Sequence, residues 1–561
     1  MKNLSIRTER MDDLPLLYSQ LEKMGIRALI DRHYPAHGHW RGLSIGSVVV
    51  LWLMYILSES DHRLHYVEQW ASERHETLKM LIGCPFEPVE LSDDRLGRIL
   101  ELFSKDNMWL PFHESLNKGV VLSYSLEIDT VRHDSTTINS YGLVDENGLL
   151  QLGYSKDHRP DLGQLKLMYS TLDPMALPVY LSVVEGNKAD DPLYIPAIAG
   201  VEKSFGKGLL HVGDCKMGSL PNRGQIVSMG HDYLCPLSQL QREDMDIYLQ
   251  PVIKQEVVLT PIERTYADGE TRVIAEGYTH KIKREWELDS KKTEWTERQL
   301  VVRSFAYADS GKRHLEKEIE KTCKILDELL IPKQGKKRLE TLSDLETKVE
   351  KIFKEHGTLN IIKVNCHEKI IEKKIRAYKN RPERVERISQ FSLKYEVDKD
   401  ALKKAVNQLG WRIYGTSASE DRLSLIKAVL EYRHEYRIEN NFSRLKGKSL
   451  SLKPMYLQRD DRRVGLIRLL TLALYPLTLI QYQIRKELKE NNDELKGLHG
   501  NIRTNTPTTE RILKSFGNIH LTIVKTPQEN LLHVTDLTPV QIKILKLLKI
   551  NPKLYQFQKR A

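Results

Sequence analysis

Cysteine is scarce in this chain, and its few cysteines stand in no disulfide or metal-binding pattern. The 561 residues include five cysteines, which lie far apart, and neither a CxxC pair nor a zinc-type spacing of Cys and His occurs. We therefore expect reduced thiols and no structural zinc. The opening residues, MKNLSIRTERMDDLP, are charged and lack the apolar core of a signal peptide. These absences predict a cytoplasmic protein.

Long uninterrupted apolar runs are also lacking. Residues 43–57 are predominantly apolar over only fifteen positions, whereas a helix that spans a bilayer needs about 20. Residues 464–480 form a second apolar run, but they include Arg468 and Pro476, which a lipid-facing helix rarely accommodates. Both runs are predicted to be buried core helices, and no membrane partner is expected.

Acidic residues are somewhat fewer than basic residues. The chain has 86 Lys and Arg against 76 Asp and Glu, a net charge of +10, and a pI near 9.0. A basic excess favours a polyanionic partner such as DNA, whereas a scattered excess indicates solubility only. The length exceeds what one hydrophobic core accommodates, which predicts roughly two to four domains.

Residues 1–115 are predicted to form a helical N-terminal domain. Apolar residues recur at helical spacing in four stretches, at 12–24, 45–57, 63–72 and 94–103. Several short helices ahead of a catalytic core are typical of a helix-turn-helix DNA reader. A domain that serves packing alone has the same pattern, so both interpretations stay open.

Residues 116–237 alternate between strand and helix patterns, which predicts an α/β core. The strand that opens with LEIDTV is expected to end at Asp134, before a polar run and a Tyr-Gly turn. The elements predicted after it are strands at 165–172, 178–184, 209–213 and 231–236, and helices at 190–205 and 219–229.

Two carboxylates in this core are candidates for a metal site. Asp134 and Asp214 each follow a predicted strand. An open α/β sheet presents functional groups at the carboxyl ends of its strands, so the two acids are expected to converge on a hard divalent cation. The alternative for Asp134 is an Asp that caps a turn through its own side chain.

Residues 238–416 break the alternation and are predicted to be an insertion. Two β-like patches, 247–307 and 358–414, flank a strongly charged helical segment at 311–356 that reads as a solvated helical hairpin. The core resumes at 417–488. Residues 489–561 are predicted to be a polar linker followed by a C-terminal helical segment that opens with a capping box at Thr538.

A helix in the resumed core places an acid among cations. Nine Lys or Arg and five Asp or Glu lie between Glu431 and Arg463, with Glu439 among them. Such a set is usually a surface network of ion pairs. It also matches the needs of phosphodiester chemistry, in which an acid holds a metal and cations hold backbone phosphates.

Six motifs together carry a family resemblance. In chain order they are LSDDRLGRILE, HDSTTI, GYSKDHRPDLGQLK, EGNKADD, HVGDCKMGS and YRHEYRIENNFSRLK. With this ordered set, residues from roughly 40 to 490 resemble a DDE transposase of a bacterial insertion sequence. The resemblance implies a ribonuclease H-like mixed-sheet core interrupted by a β-rich and helical insertion, with an α-helical N-terminal domain.

The resemblance also implies a set of metal ligands. Carried over by position, Asp134, Asp214 and Glu439 would be both the catalytic and the metal-binding residues, holding two Mg²⁺ ions for which Mn²⁺ substitutes. In the family the Glu helix reads Tyr, two residues, Arg, three residues, Glu, six residues, Lys. Tyr432 and Lys446 match that spacing, but Glu435 occupies the Arg position and is a rival third acid.

Several side chains are predicted to contact DNA. Arg433 or Arg437 would replace the missing Arg from a neighbouring face of the helix. The loop around Lys156 would touch DNA or would simply be exposed, and Trp411 would stack on a flipped base or pack in a core. The full set of predicted DNA-binding residues is Tyr432, Arg433, Arg437, Arg444, Lys446, Lys156, Arg159 and Trp411.

The function that the resemblance implies is DNA transposition. Water activated by metal would cut at an element end, and the exposed 3′-OH would attack target DNA. Double-stranded DNA is the expected partner, a homodimer would hold two ends in a synaptic complex, and the expected location is the bacterial cytoplasm at the nucleoid. One alternative is a metal nuclease on the same core that cuts without joining. The other is a DNA-binding remnant that has lost catalysis.

Overall fold

A strand that the sequence did not predict precedes the N-terminal helices. The structure, a computed structural model, describes residues 5–156, 158–266, 269–331, 339–375, 383–500, 502–526 and 530–556. Residues 5–125 form β1 (Ser5–Arg10), α1 (Leu14–Lys23), α2 (Ile26–His33), α3 (Ile45–Glu59), α4 (Val67–Glu73), α5 (His75–Ile82), α6 (Asp93–Phe103) and α7 (Asp106–Tyr124). The four predicted helices are confirmed. The polar strand β1 forms because it pairs with a strand near the C-terminus, where Ser5 lies opposite Lys525.

The predicted alternation of strands and helices is confirmed in the next segment. Its elements are β2 (Thr130–Ser140), β3 (Gly163–Leu172), β4 (Leu177–Glu185), α8 (Tyr194–Phe205), β5 (Leu210–Val212), α9 (Leu220–Ser228) and β6 (Asp232–Pro236). One boundary is wrong. Asp134 does not end its strand, because β2 continues to Ser140 as an antiparallel partner of β3.

The segment predicted to be an insertion contains both strands and helices. Its elements are α10 (Met245–Ile253), β7 (Thr260–Thr265), β8 (Thr271–Leu288), β9 (Lys291–Ser304), α11 (Phe305–Leu329), α12 (Leu342–His356), β10 (Ile362–Ile375), β11 (Arg384–Val397), α13 (Lys399–Asn407) and β12 (Trp411–Thr416). Helix α14 (Leu425–Tyr432) follows in the segment where the core was predicted to resume. The two predicted charged helices are α11 and α12, and residues 332–338 between them lie outside the described residues. Helices α10 and α13 occupy parts of the patches that were predicted to be β-like.

The C-terminal segment begins with the Glu helix. Its elements are α15 (Tyr436–Lys446), α16 (Asp460–Glu490), β13 (Leu495–His499), β14 (Ile502–Thr504), α17 (Thr509–Lys514), β15 (His520–Lys525), β16 (Asn530–Val534) and α18 (Pro539–Leu547). The capping box that opens α18 is present between Thr538 and Gln541. The polar stretch that was predicted to be a linker contains β13 and β14.

The chain divides into two compact units. The first unit is Met1–Cys235, Arg284–Trp295 and Glu431–Ala561, and the second is Pro236–Lys283 and Thr296–Leu430. Both units combine helices with strands, so the protein has a mixed α/β architecture.

A mixed sheet forms the centre of the first unit. Its strands lie in the order β4-β3-β2-β5-β6. β2 pairs in parallel with β5 over three residues and in antiparallel fashion with β3 over its whole length. Strand β3 is buried at every position, which identifies the middle of the sheet as core.

The long apolar helix α16 is part of the same core. Its backbone crosses α6 so closely that a Cβ on Gly465 would lie 2.1 Å from the Leu100 carbonyl oxygen, so only glycine fits there. The helix is long and apolar enough to cross a membrane, but 89% of its most apolar stretch is buried inside the protein. The prediction of a buried core helix is therefore confirmed, and the helix continues through Pro476.

The second unit has a sheet and a separate hairpin. The sheet strands lie in the order β12-β9-β8-β7, and Trp411 of β12 pairs with Arg303 of β9. Strands β10 and β11 form a two-stranded hairpin. The base of this hairpin packs on α11 and α12 around a small apolar cluster that includes Leu326, Leu345 and Phe353.

Candidate active site

The register of two neighbouring strands brings Asp134 and Asp214 together. In the parallel pair of β2 and β5, the last matched residues are Arg132 and Val212. Asp134 and Asp214 each lie two residues beyond that pair. The register therefore places the two acids near each other, and the charge of Asp214 acts on the pKa of Asp134. Asp134 lies within a longer strand and faces Tyr169 of β3 in the register. That the two acids share a cation stays a prediction.

Asp134 is a partly buried acid among other acids. Its side chain is 22% exposed, and its Oδ1 accepts a hydrogen bond from the Ser135 amide at 2.7 Å. Burial raises the pKa of Asp134 to about 7, and the negative charges of Asp214 and Glu435 add to the rise. The ammonium of Lys156, 3.6 Å from Oδ1, opposes it.

Asp214 is held by a buried tyrosine. The Tyr194 hydroxyl donates to Asp214 Oδ1 at 2.6 Å, and the Lys216 amide donates to the same oxygen at 2.8 Å. Tyr194 is 1% exposed. Burial raises the pKa of Tyr194 well above its usual value, and the charges of Asp214, Asp134 and Asp190 raise it further. The hydroxyl therefore stays protonated and remains a donor to the carboxylate.

A second lysine–aspartate pair lies beside this site. Lys166 Nζ is 2.7 Å from Asp190 Oδ1. Burial disfavours the ionised form of Asp190, but Lys166 and then Lys156 outweigh it and hold the pKa of Asp190 below its usual value. Asp134, Asp214 and Asp190 thus form an acidic cluster that two lysines partly neutralise.

The Glu helix presents two acids one turn apart. Glu435 precedes α15, and Glu439 lies in its first turn and is exposed. The buried residues Ile438, Phe442 and Leu445 fix the orientation of the helix. Glu435 lies in a 3-10 turn that leads into α15, and its charge acts on the pKa of Asp134. Among the residues that the structure describes, no three His, Cys, Asp or Glu side chains are already grouped as a cation site.

A buried ion network joins the Glu helix to β2. Arg132 Nη2 lies 2.7 Å from Asp173 Oδ2 and 3.0 Å from Glu431 Oε1. Arg437 Nη1 lies 3.2 Å from the same Asp173 oxygen. The Arg132 and Asp173 side chains are only 2% and 3% exposed. Because Arg132 stands two residues before Asp134, this network fixes the Glu helix next to the acidic strand.

Three of the predicted DNA-binding arginines form ion pairs within the protein. Arg437 belongs to the network just described, and Arg444 Nε lies 2.8 Å from Glu510 Oε1 with its side chain 11% exposed. Arg159 is exposed and pairs with Asp161 at 2.7 Å. The predicted contacts of these residues with DNA stay predictions.

The remaining predicted DNA-binding residues differ in burial and position. Tyr432, Arg433 and Lys446 are partly buried in and around α14 and α15. Trp411 opens β12 in the second unit and is partly buried, and its indole N–H donates to the Asn407 carbonyl at 3.0 Å. The structure therefore places Trp411 in a strand, as one of its two interpretations expected.

Sequence reasoning missed Tyr194, Arg132 and Asp173. Tyr194 stands four residues after Asp190 in the chain, but one tyrosine at the start of an apolar helix looks like any core aromatic. Arg132 stands two residues before Asp134 on the same strand, and this spacing could have drawn attention to it. A cation buried in the sheet needs a partner of opposite charge. Asp173 follows β3 directly and is that partner.

Comparison with known proteins gives a family match and a structural similarity. Residues 6–112 match a family described as "Domain of unknown function (DUF4277)". The chain is also similar to the cryo-EM structure of a piggyBac transposase synaptic complex with hairpin DNA, at 9% sequence identity and a TM-score of 0.34, over 90% of this chain and 79% of that chain. No curated protein matches the chain. The family match ends at residue 112, ahead of β2 and of every acid in the site.

Proposed function

We propose that the protein is a DNA transposase of the DDE type, which cuts DNA at element ends and joins the 3′-OH to target DNA. The observation that carries the proposal is the pair formed by Asp134 and Asp214. Two carboxylates at equivalent positions of adjacent parallel strands, beyond the register pair Arg132–Val212, are placed to share cations. The six ordered sequence motifs support transposition rather than another chemistry of the same site.

The acidic cluster fits a divalent metal. Burial raises the pKa of Asp134, and the charges of Asp214 and Glu435 add to the rise, so a cation bound beside this carboxylate would favour its ionised form. Carboxylate oxygens are the ligands that Mg²⁺ and Mn²⁺ prefer. We propose that Asp134 and Asp214 hold two such ions. Bound there, the ions would lower the pKa of the attacking water and stabilise the leaving oxygen.

The third ligand comes from the Glu helix. Glu439 keeps the motif spacing to Tyr432 and Lys446 and is exposed in the first turn of α15. We propose Glu439 as the third acid, with Glu435 adding negative charge beside Asp134. The network of Arg132, Asp173 and Glu431 holds this helix in place and takes no part in the chemistry itself.

The core that carries these acids is proposed to be ribonuclease H-like, with the second unit as the insertion before the final acid. Paired cutting requires two DNA ends in one complex, so a homodimer on double-stranded DNA is the proposed assembly. The proposed location is the bacterial cytoplasm, at the nucleoid.

The test is a joining assay with purified protein. Labelled DNA that carries candidate element ends is incubated with a target plasmid and Mg²⁺ or Mn²⁺. Joining of label to plasmid supports a transposase, cutting alone supports a metal nuclease, and a band shift without cutting supports a DNA-binding remnant. Replacing Asp134, Asp214 or Glu439 with Ala is expected to abolish cutting while DNA binding persists, and unchanged cutting would remove that residue from the site.

A further inference from the structure

Lys156 occupies an unusual position for a loop lysine. It lies between β2 and β3, and its ammonium points back into the acidic cluster instead of into solvent. Nζ donates to the Ser135 carbonyl at 2.5 Å and to Ser135 Oγ at 3.1 Å, and it lies 3.6 Å from Asp134 Oδ1. Its charge also favours the ionised form of Asp190.

The contact with Asp134 is close but incomplete. At 3.6 Å the ion pair is longer than the 2.7 Å pair between Lys166 and Asp190, and the Lys156 side chain is 36% exposed against 11% for Lys166. A half-exposed lysine on a flexible four-carbon stem can leave without unfolding its surroundings. Lys166, by contrast, is largely buried and stays paired with Asp190.

The positive charge of the Lys156 ammonium lies where a divalent ion bound to Asp134 would lie. Two cations cannot both lie close to the same carboxylate oxygen without repelling each other. Metal binding at Asp134 therefore competes with the Lys156 ammonium, and the competition works in both directions because coupling between two bound groups is reciprocal.

We propose that Lys156 is an exchangeable counter-cation of the acidic site. It neutralises Asp134 while no metal is bound and swings away when a divalent ion binds, which frees its charge for a phosphate of the DNA. Lys156 is thus a positioning residue whose place depends on the metal. The inference rests on the proposed function, because it requires that Asp134 and Asp214 bind the metal.

The first test measures Mn²⁺ binding by the full-length protein without DNA. The electron paramagnetic resonance signal of free Mn²⁺ is followed in a titration of wild type, Lys156→Met and Lys156→Arg at constant pH and ionic strength. Lys156→Met is expected to bind Mn²⁺ about 3- to 10-fold more tightly than wild type, because the competing charge is gone. Lys156→Arg keeps that charge and is expected to stay within about twofold of wild type.

A matched control removes a lysine elsewhere. Lys118 is 51% exposed and pairs with Glu114 on α7. Lys118→Met changes the net charge equally and is expected to leave Mn²⁺ affinity within about twofold. Unchanged or weaker Mn²⁺ binding by Lys156→Met overturns the inference. Failure of the proposed function gives a different result. In that case Asp134→Asn and Asp214→Asn would bind Mn²⁺ as tightly as wild type.

A second readout is thermal unfolding with and without Mn²⁺. Lys156→Met is expected to unfold at a lower temperature than wild type when no metal is present, because the acidic cluster has lost its counter-charge. Saturating Mn²⁺ is expected to shrink that difference. A difference that Mn²⁺ leaves unchanged contradicts the exchange and assigns Lys156 a purely structural role in the loop.

Discussion

At the scale of single residues, the site depends on how each acid is held. Asp134 is fixed by the Ser135 amide and Asp214 by Tyr194, so both carboxylates already have one defined orientation. Groups that orient metal ligands commonly affect metal affinity or activity by 10-fold or more when they are removed. If Asp214 holds a metal as proposed, Tyr194 is such a group.

Replacing Tyr194 with Phe tests its role as a positioning residue. The ring stays buried, but Asp214 loses its hydroxyl donor, so Mn²⁺ affinity and Mg²⁺-dependent cutting are expected to fall roughly 10-fold with DNA binding unchanged. Tyr555→Phe, which removes a hydroxyl from another buried tyrosine, is the control. Equal effects in the two variants would show that Tyr194 serves packing only.

The two acids of the Glu helix make the second prediction at this scale. Glu439→Gln is expected to reduce cutting at least about 100-fold, because it removes a metal ligand. Glu435→Gln is expected to cost less than about 10-fold, because it removes only a neighbouring charge. Both variants are measured in the same cutting assay. The reverse order would assign the third ligand to Glu435.

Single residues also show how much of the candidate site could be predicted from the sequence alone. The motifs predicted Asp134, Asp214 and Glu439 as site residues, with Glu435 as a rival third acid, since each lies in a short pattern that can be read locally. The partners of these acids could not be read in the same way. Lys156 reaches Ser135 across 21 positions and Arg132 reaches Glu431 across 299, and such contacts exist only in the folded chain.

At the scale of elements, long-range pairing explains the differences from prediction. Strand β2 extends past Asp134 because residues 133–140 find partners in β3. Strand β1 is polar and locally unremarkable, but it pairs with β15 more than 500 residues away. Helix α16 runs through Pro476 because tertiary burial outweighs the local cost of a proline.

The buried network beside the Glu helix leads to a stability prediction. Replacing Arg132 with Met leaves Asp173 without its closest partner in a site that water hardly reaches. Removal of one partner from a buried pair typically costs about 3–5 kcal/mol. The expected loss of unfolding free energy in Arg132→Met is therefore about 3 kcal/mol, measured by chemical denaturation.

The matched control for this prediction is an exposed ion pair. Arg159→Met breaks a contact with Asp161 in which the two side chains are 46% and 58% exposed, so the expected loss of stability is much smaller than in Arg132→Met. If the two variants lost equal stability, the network would contribute no more than a surface pair, and the anchoring of the Glu helix would need another explanation.

At the scale of the whole molecule, the N-terminal helices are not separate from the sheet. One hydrophobic core in the first unit contains Leu51 of α3, Leu100 of α6, Leu167 of β3 and Leu470 of α16. The region that was expected to be a helical N-terminal domain therefore shares its core with the strands that carry the acids. Changes in these helices are expected to affect the site through stability.

A buried histidine in this core predicts how stability depends on pH. His113 Nε2 lies 2.8 Å from the Tyr475 hydroxyl oxygen, and that hydroxyl donates its own proton to Asn117 Oδ1 at 2.6 Å. Burial, and then the charge of Arg468, lower the pKa of His113 to about 3, whereas an unfolded histidine titrates near pH 6.5. Below about pH 6.5 only the unfolded chain takes up the proton, so stability falls as the pH falls towards 3.

The variant His113→Gln isolates this contribution. Between pH 7.5 and pH 5 the wild type is expected to lose roughly 1–2 kcal/mol that the variant does not lose. The measurement compares how much the unfolding temperature of each protein changes over that pH interval. Any loss of stability that the substitution causes at every pH therefore cancels. Identical pH dependence in the two proteins would contradict a neutral, buried His113.

The central claim is that Asp134 and Asp214 together hold the metal that cuts and joins DNA. The most direct measurement is the Mg²⁺-dependent joining of a labelled element end to plasmid by wild type, Asp134→Asn and Asp214→Asn, with DNA binding followed in parallel. We predict joining by wild type alone and equal DNA binding by all three proteins. Joining by either variant at the wild-type rate would contradict the claim.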